Sequence, residues 1–310
     1  MIDNQWTIRN FQLGDLEEYL RLQRESESLD RAGRPVSETL LTEALGYPGF
    51  QPENDLFLVQ GAAQVIGCMR VLLEPGIGRA LVNGLVHPLH RRKGMGTALF
   101  GRAVRHAHAA GIARVQISIA ENNSGAQKFC ARRGLKFIRY FWGYRLNLAA
   151  TRLPEVKTQG CLFRNLQPGE ADQLTAIQNR AFSGTWGFNP NTREQVSYRI
   201  HTSTCSPEDV VMVYRHGRPI AYCWTRIFQA DSRAGGAGRG GIHMLGVDPA
   251  YRKQSIGKNV LLAALHHLED KGVELVELTA DSEMPAAIAL YESAGFEKYM
   301  QIKWYEKKLR

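Results

Sequence analysis

The sequence predicts a mixed α/β (α+β) fold built twice in one chain, each copy a central sheet flanked by helices. Three observations predict it. The chain has 310 residues, room for two domains at roughly 150 residues each. Arg9-Asn10-Phe11-Gln12-Leu13-Gly14-Asp15 recurs as Arg164-Asn165-Leu166-Gln167-Pro168-Gly169-Glu170, an offset of 155, and Pro88, Arg91, Gly96, Gly111, Val115 and Gly134 recur as Pro249, Arg252, Gly257, Gly272, Val276 and Gly295, an offset of 161. A constant spacing held over so long a stretch marks an internal repeat. Within each copy, β-type runs alternate with stretches of helical period.

Copy one opens with a short strand and then a helix from Asp15 to about Ser28, where Leu16, Tyr19 and Leu20 share one face. Leu56 to Gln60 and Gln64 to Leu73 form a hairpin-like pair around Gly61. Next come a strand at Ala80 to Val86, a helix from Gly96 to Ala110 stopped by Gly111, and a strand at Arg114 to Ala120. A helix from Ser124 to Arg133 stopped by Gly134 and a last strand-like stretch, Phe137 to Leu148, complete the copy. Copy two repeats the order, with strands near Val210 to Tyr214, Ile220 to Phe228, Gly241 to Val247 and Glu274 to Ala280, and helices at Gly257 to Asp270 and Pro285 to Ala294. The step from 155 to 161 assigns about six extra residues to the flexible insert Asp231 to Gly241, with its five glycines. The boundary falls where periodicity lapses, near 149 to 160, giving domains 1–150 and 160–310.

Composition narrows the function classes. Hydrophobic residues make up 44% and charged residues 22%, an ordinary globular balance. The longest apolar runs, such as Val260 to Leu265, fall far short of a membrane span, and the N-terminus has neither a basic nor an apolar leader region. A cytoplasmic protein without a membrane partner is expected. The five cysteines are scattered, with no Cys-x-x-Cys and no His at zinc spacing, so they read as packed thiols and no metal is expected. The net charge of +9 is uneven: residues 75–120 hold seven bases and no acid. A compact basic spot beside a glycine turn suits a small polyphosphate better than a nucleic acid, which would call for a longer stripe.

That spot is the repeated junction of strand, proline, basic turn, glycine and helix. In copy one it runs Val86-His87-Pro88-Leu89-His90-Arg91-Arg92-Lys93-Gly94-Met95-Gly96, followed by Thr97; in copy two, Val247-Asp248-Pro249-Ala250-Tyr251-Arg252-Lys253-Gln254-Ser255-Ile256-Gly257, followed by Lys258. A turn entering a helix aims backbone N–H groups and the positive dipole end at one point, an anion site. Small residues let a pyrophosphate approach, and adjacent Arg and Lys add charge-assisted contacts. Leu at position 99 excludes a dinucleotide fingerprint.

With its Arg-x-x-Gly-x-Gly turn the chain resembles the GNAT acetyltransferase superfamily. A second motif reinforces this: Met284-Pro285-Ala286-Ala287-Ile288-Ala289-Leu290-Tyr291-Glu292-Ser293-Ala294-Gly295-Phe296 in copy two, and Asn123 through Cys130 to Gly134-Leu135 in copy one. The resemblance implies two tandem domains, each with a splayed sheet, and acetyl-CoA as cofactor with its pyrophosphate on the turn. It also implies that backbone N–H groups of Gly84, Leu85 and Val86, or of Leu245, Gly246 and Val247, hold the thioester, and that a small-molecule amine attacks directly. Copy two has Tyr291 at the family's acid position and His243 as a base, sharing the face of Val247 by strand alternation, with a water relay as the rival to that base; copy one has Cys130 and Val82 there. Copy one keeps both glycines and Asn123, whereas copy two has Ser255 and Met284 instead. The expected division of labour is catalysis in copy two and cofactor binding in copy one. A catalytic copy one, or a non-enzymatic acetyl-CoA sensor, stays open as an alternative.

The aromatic, glycine-broken stretch with Phe182, Trp186 and Phe188 is the candidate acceptor site or a packing loop. His106, His108, His266 and His267 sit on helices without a carboxylate at ligand spacing and are expected at the surface. Cys130 lacks a neighbouring base and is expected to pack. A monomer or homodimer is expected.

Overall fold

The structure, a computed structural model, describes residues 6–30, 37–228 and 238–309. The first repeat folds as β1 (Thr7–Asn10), α1 (Leu16–Asp30), α2 (Glu38–Leu45), α3 (Pro52–Asp55), β2 (Leu56–Gln60), β3 (Val65–Glu74), β4 (Arg79–Val86), α4 (Met95–Ala109), β5 (Arg114–Ala120), α5 (Ser124–Arg132) and β6 (Lys136–Asn147). The second gives β7 (Leu162–Asn165), α6 (Ala171–Phe182), α7 (Arg193–Arg199), β8 (Val210–Arg215), β9 (Arg218–Phe228), β10 (Gly238–Val247), α8 (Ile256–Asp270), β11 (Val273–Asp281), α9 (Pro285–Ser293) and β12 (Glu297–Lys308). Of the glycine-rich insert, residues 231–237 lie outside the described residues.

Helix ends follow local chemistry. Ser37 caps α2 by accepting the Leu40 N–H, and Thr192 with Gln195 forms a capping box on α7. Gly111, Gly134, Gly272 and Gly295 stop α4, α5, α8 and α9 with positive φ.

The chain packs as two compact units, one of residues 1–138 and 303–310, the other of residues 139–302. The first unit's strands run β1-β2-β3-β4-β5-β12 and the second's β6-β11-β10-β9-β8-β7. The sequence reading has Phe137 to Leu148 completing copy one. The structure instead pairs this segment with β11, antiparallel from Phe141↔Asp281 to Asn147↔Leu275, while residues 303–308 of β12 complete the sheet of the first unit. Each unit thus takes its last strand from the other repeat.

In each unit one parallel pair splays. β4 meets β5 only from Arg79↔Arg114 to Leu81↔Gln116, and β10 meets β11 only from Gly238↔Val273 to Gly241↔Glu277. Beyond these points the strands diverge, leaving backbone groups at the ends of β4 and β10 without ladder partners on that side. Apolar layers from α4 and α8 hold the opened strands from one face: Leu99, Phe100 and Ala103 in the first unit, Val260, Leu261 and Leu265 in the second.

Three of the histidines expected at the surface are in fact partnered, His266 by Glu269 and the Pro154 carbonyl and two by buried carboxylates. His106 Nε2 lies 2.7 Å from Oδ1 of buried Asp55, and His267 Nε2 lies 2.9 Å from Oδ1 of buried Asp209. The partners sit 51 and 58 residues away, beyond any local spacing rule. For Asp209, burial works against the charge, but hydrogen bonds from His267 and from Ser206 outweigh it, and the carboxyl pKa lies below its ordinary value. A carboxylate depressed by folding contributes stability above its unfolded pKa of about 3.9 and loses it as pH falls through the folded value. Asp209→Asn is therefore expected to lower the unfolding free energy at pH 7 by about 2 kcal/mol. The difference from wild type should narrow below about pH 4, as read from urea unfolding across a pH series.

Candidate active site

Both repeated turns adopt one backbone conformation. Arg92 and Lys253 have φ of 66° and 60°, and Gly94 and Ser255 have φ of 86° and 59° as the residues that open α4 and α8. Gly94 is the residue type that left-handed backbone favours; Ser255 adopts the same angle at a steric cost. Among the described residues, the N–H groups of Gly94 to Thr97, and of Ser255 to Lys258, donate to no acceptor within the protein. Four consecutive free donors at a helix N-terminus form the cradle that a pyrophosphate requires.

The motif arginines brace this cradle. Arg91 Nε donates to the Val86 carbonyl at 2.9 Å and Arg252 Nε to the Val247 carbonyl at 3.2 Å, tying each turn to the end of its strand. Arg252 Nη2 also donates to Ala181 O at 2.6 Å. In the first unit a cavity of about 590 Å³ opens beside the cradle, lined by Gly84, Leu85 and Val86, by Arg91, Arg92, Gly94, Met95, Gly96 and Thr97, and by Asn123. Asn123 caps α5, accepting the Ala126 N–H at 3.0 Å; Met284 gives α9 no side-chain cap. The surroundings are not wholly free of acid, because Asp30, at the end of α1, lines the cavity and pairs with Arg91 through both carboxylate oxygens. In the second unit Gln254 accepts from Arg215 Nη1 at 3.1 Å.

The proton-transfer candidates lie in the second unit. Tyr291, on α9, is 8% exposed and packs edge-on to Phe296, ring centroids 5.9 Å apart. Burial, with the nearby Cys223 thiol, raises its pKa well above that of an ordinary phenol, so it stays protonated. Its counterpart Cys130 is fully buried, its thiol pushed up to about 11 by that burial. All five cysteines are free and buried.

His243 stands at a β-bulge, where the β10 register shifts against β9 between Ile242 and Met244. A bulge breaks strand alternation, and the ring lies edge-on to Trp224 at 4.9 Å, in the layer of Met244 and Phe182 under α6. Leu245 and Val247 pack in the other layer, with α8. The face shared by His243 and Val247 in the sequence reading is thus exchanged for the α6 face. Burial, with the guanidinium groups of Arg226 and Arg199, holds the imidazole pKa well below its ordinary value, and among the described residues Nε2 has no hydrogen-bond partner.

Phe182 stacks on Phe188 at 5.3 Å and reaches the end of β10: a Cβ on Gly246 would sit 3.1 Å from Phe182 Cε2 and 2.7 Å from Tyr222 Cε1. Only glycine fits this approach. Trp186 packs elsewhere, under the Arg139 guanidinium at 4.6 Å and beside Phe141. No local sequence pattern marks Asp30, whereas Tyr144 recurs as Tyr305 at the repeat offset of 161 and is marked by it.

Among the described residues no helix is long and apolar enough to cross a membrane, and no cluster of three or more His, Cys, Asp or Glu could hold a metal ion.

A splayed sheet whose diverging strand feeds a cradle of free N–H groups, built twice, defines a duplicated acyl-CoA-dependent transferase. The chain belongs to the acetyltransferase (GNAT) family, whose sequence pattern matches residues 16–135 and again 171–296. It is an acyltransferase. It is 30% identical over 293 residues to the mycothiol acetyltransferase of Sanguibacter keddieii, covering 92% of this chain and 90% of that protein. It is 29% identical over 272 residues to that of Nocardia farcinica, covering 84% of each. The fold matches a GCN5-related N-acetyltransferase from Sphaerobacter thermophilus with a TM-score of 0.76 at 20% identity, over 100% of this chain and 98% of that one. It matches a tandem GNAT protein from the clavulanic acid biosynthesis pathway with a TM-score of 0.73 at 19% identity, over 98% of each.

Proposed function

We propose that the protein is an acetyl-CoA-dependent N-acetyltransferase that moves an acetyl group directly to a primary amine of a small molecule. In this reading the C-terminal repeat, residues 160–310, carries the chemistry, and the N-terminal repeat, residues 1–150, keeps a cofactor fold. The observation that carries it is Tyr291, a buried and protonated phenol that follows the splayed β10–β11 pair of its unit, where the first unit has only a packed thiol.

Acetyl-CoA, when bound, supplies an activated thioester. Lys253 to Gly257 and Lys258 would hold its pyrophosphate, and the N–H groups of Leu245 and Val247, which alternate away from β9, would polarise the acyl oxygen. Arg91 to Thr97 and Asn123 would hold a second molecule in the first unit. Phe182 and Phe188 line the acceptor side, and Trp186 packs away from it against Arg139 and Phe141. His243 stays neutral at neutral pH, and a proton affinity this low suits a hydrogen-bond acceptor better than a group that stores a proton. The proton leaving the amine therefore passes to water that Nε2 orients, and Tyr291 gives its proton to the departing sulfur.

The names of the curated relatives put mycothiol stripped of its acetyl group on the panel, and general primary amines complete it. Acetyl-CoA should be offered with glucosamine, spermidine, tyramine and mycothiol stripped of its acetyl group, and the N-acetyl product read by mass spectrometry. Acetyl-CoA binding without product from any amine would favour a sensor instead.

A further inference from the structure

We infer that Tyr144, contributed to the second unit by the last strand of the first repeat, is a positioning residue for the Tyr291 acid; this rests on the acid role proposed above. On β6, Tyr144 pairs with Leu278 of β11. Strand alternation turns Trp142, Tyr144 and Leu146 to one face, and all three belong to the apolar layer that holds Tyr291 and Phe296. Tyr144 is 0% exposed, and its ring centroid lies 6.3 Å from that of Tyr291, the planes 45° apart. Tyr291 is thus held between Tyr144 and Phe296.

A polar tie fixes the helix as well. The Tyr144 hydroxyl donates to Glu292 Oε1 at 3.1 Å, and Glu292 directly follows Tyr291 on α9. Lys298 Nζ, 3.5 Å from the same oxygen, lies over the faces of Trp142 and Tyr144. Burial, with the Glu292 carboxylate, pushes the Tyr144 phenol up to about 12, so it remains the donor at neutral pH. Pinning the last turn of α9 fixes the direction of the Tyr291 side chain. A misplacement of about 1 Å in a reacting group can cost up to about 10² in rate.

The other unit provides an internal control. Tyr305 stands 161 residues after Tyr144 and takes the matching place in the first unit, but its hydroxyl lies 3.4 Å from Gln127 Oε1. There the acid position is Cys130 and the next residue Ala131. The tyrosine recurs in both units, whereas the carboxylate that ties it to the acid occurs only where the acid does.

A double-mutant cycle in the full-length protein tests this, with acetyl-CoA and the panel amine that is turned over fastest. Tyr144→Phe is expected to lower kcat about tenfold with the KM for acetyl-CoA unchanged, and to cost nothing further in a Tyr291→Phe background. Glu292→Ala should match Tyr144→Phe, Glu292→Gln should retain most of the rate, and Tyr305→Phe should leave kcat unchanged. Full kcat in Tyr144→Phe alongside a loss in Tyr291→Phe would overturn the positioning role and leave the acid in place. Losses that multiply would also overturn it, because Tyr144 would then support the fold alone. A fully active Tyr291→Phe would remove the acid role and this inference with it.

Discussion

Replacing Tyr291 by phenylalanine is expected to cut the rate of acetyl transfer by about 10²- to 10⁴-fold, the usual worth of a positioned general acid. The ring contacts with Tyr144 and Phe296 involve carbon only, so the fold should persist, and circular dichroism with thermal unfolding should show it unchanged. Steady-state kinetics against acetyl-CoA should then show the loss in kcat, since a proton delivered to departing sulfur is needed only in the transition state. The pH profile carries a second sign. Burial disfavours the phenolate, so in the wild type activity that needs this proton should persist above pH 10, where an ordinary tyrosine would have lost it. Wild-type kinetics in Tyr291→Phe would return the chemistry to the first unit, or to no acid at all.

Much of this site was legible in the sequence because duplication supplies its own control. One turn with Arg-x-x-Gly-x-Gly is ambiguous, but the same turn at one offset in two copies is not, and the structure gives both copies the same φ signs at 92, 94, 253 and 255. Tyr291 and Cys130 could be compared because Gly295 and Gly134 fix their alignment. The missed features depend on tertiary partners that local pattern does not encode. A bulge adds one residue without a composition signal, and so moved His243 to the other face. The exchange of last strands depends on which edge each strand finds, and Phe137 to Leu148 has the same alternation beside either. The carboxylates of Asp55 and Asp209 reach His106 and His267 only after folding. Asp30 lies 61 residues from the arginine it pairs with, and the absence of acids between 75 and 120 in the sequence could not foretell its arrival.

Gly96→Asp and Gly257→Asp are expected to weaken cofactor binding one unit at a time, lowering the affinity for acetyl-CoA at the altered unit by roughly 10²-fold, as two like charges a few ångströms apart near a surface require. Both positions have room: an added Cβ would stand 3.7 Å from Phe129 Cε2 at Gly96, and 3.5 Å from Val247 Cγ2 at Gly257. A carboxylate in the first turn of a helix is favourable in itself, and circular dichroism with thermal unfolding of each variant separates a loss of binding from a loss of fold. What the new carboxylate does is occupy the pole of the free N–H groups and repel the pyrophosphate. Calorimetric titration of acetyl-CoA should give two equivalents for the wild type and one for each variant, with acetyl transfer lost in Gly257→Asp and kept in Gly96→Asp. The opposite pattern, transfer lost in Gly96→Asp alone, would mean that Ser255, at its strained φ of 59°, has closed the second cradle to the cofactor. The reaction would then belong to the first unit.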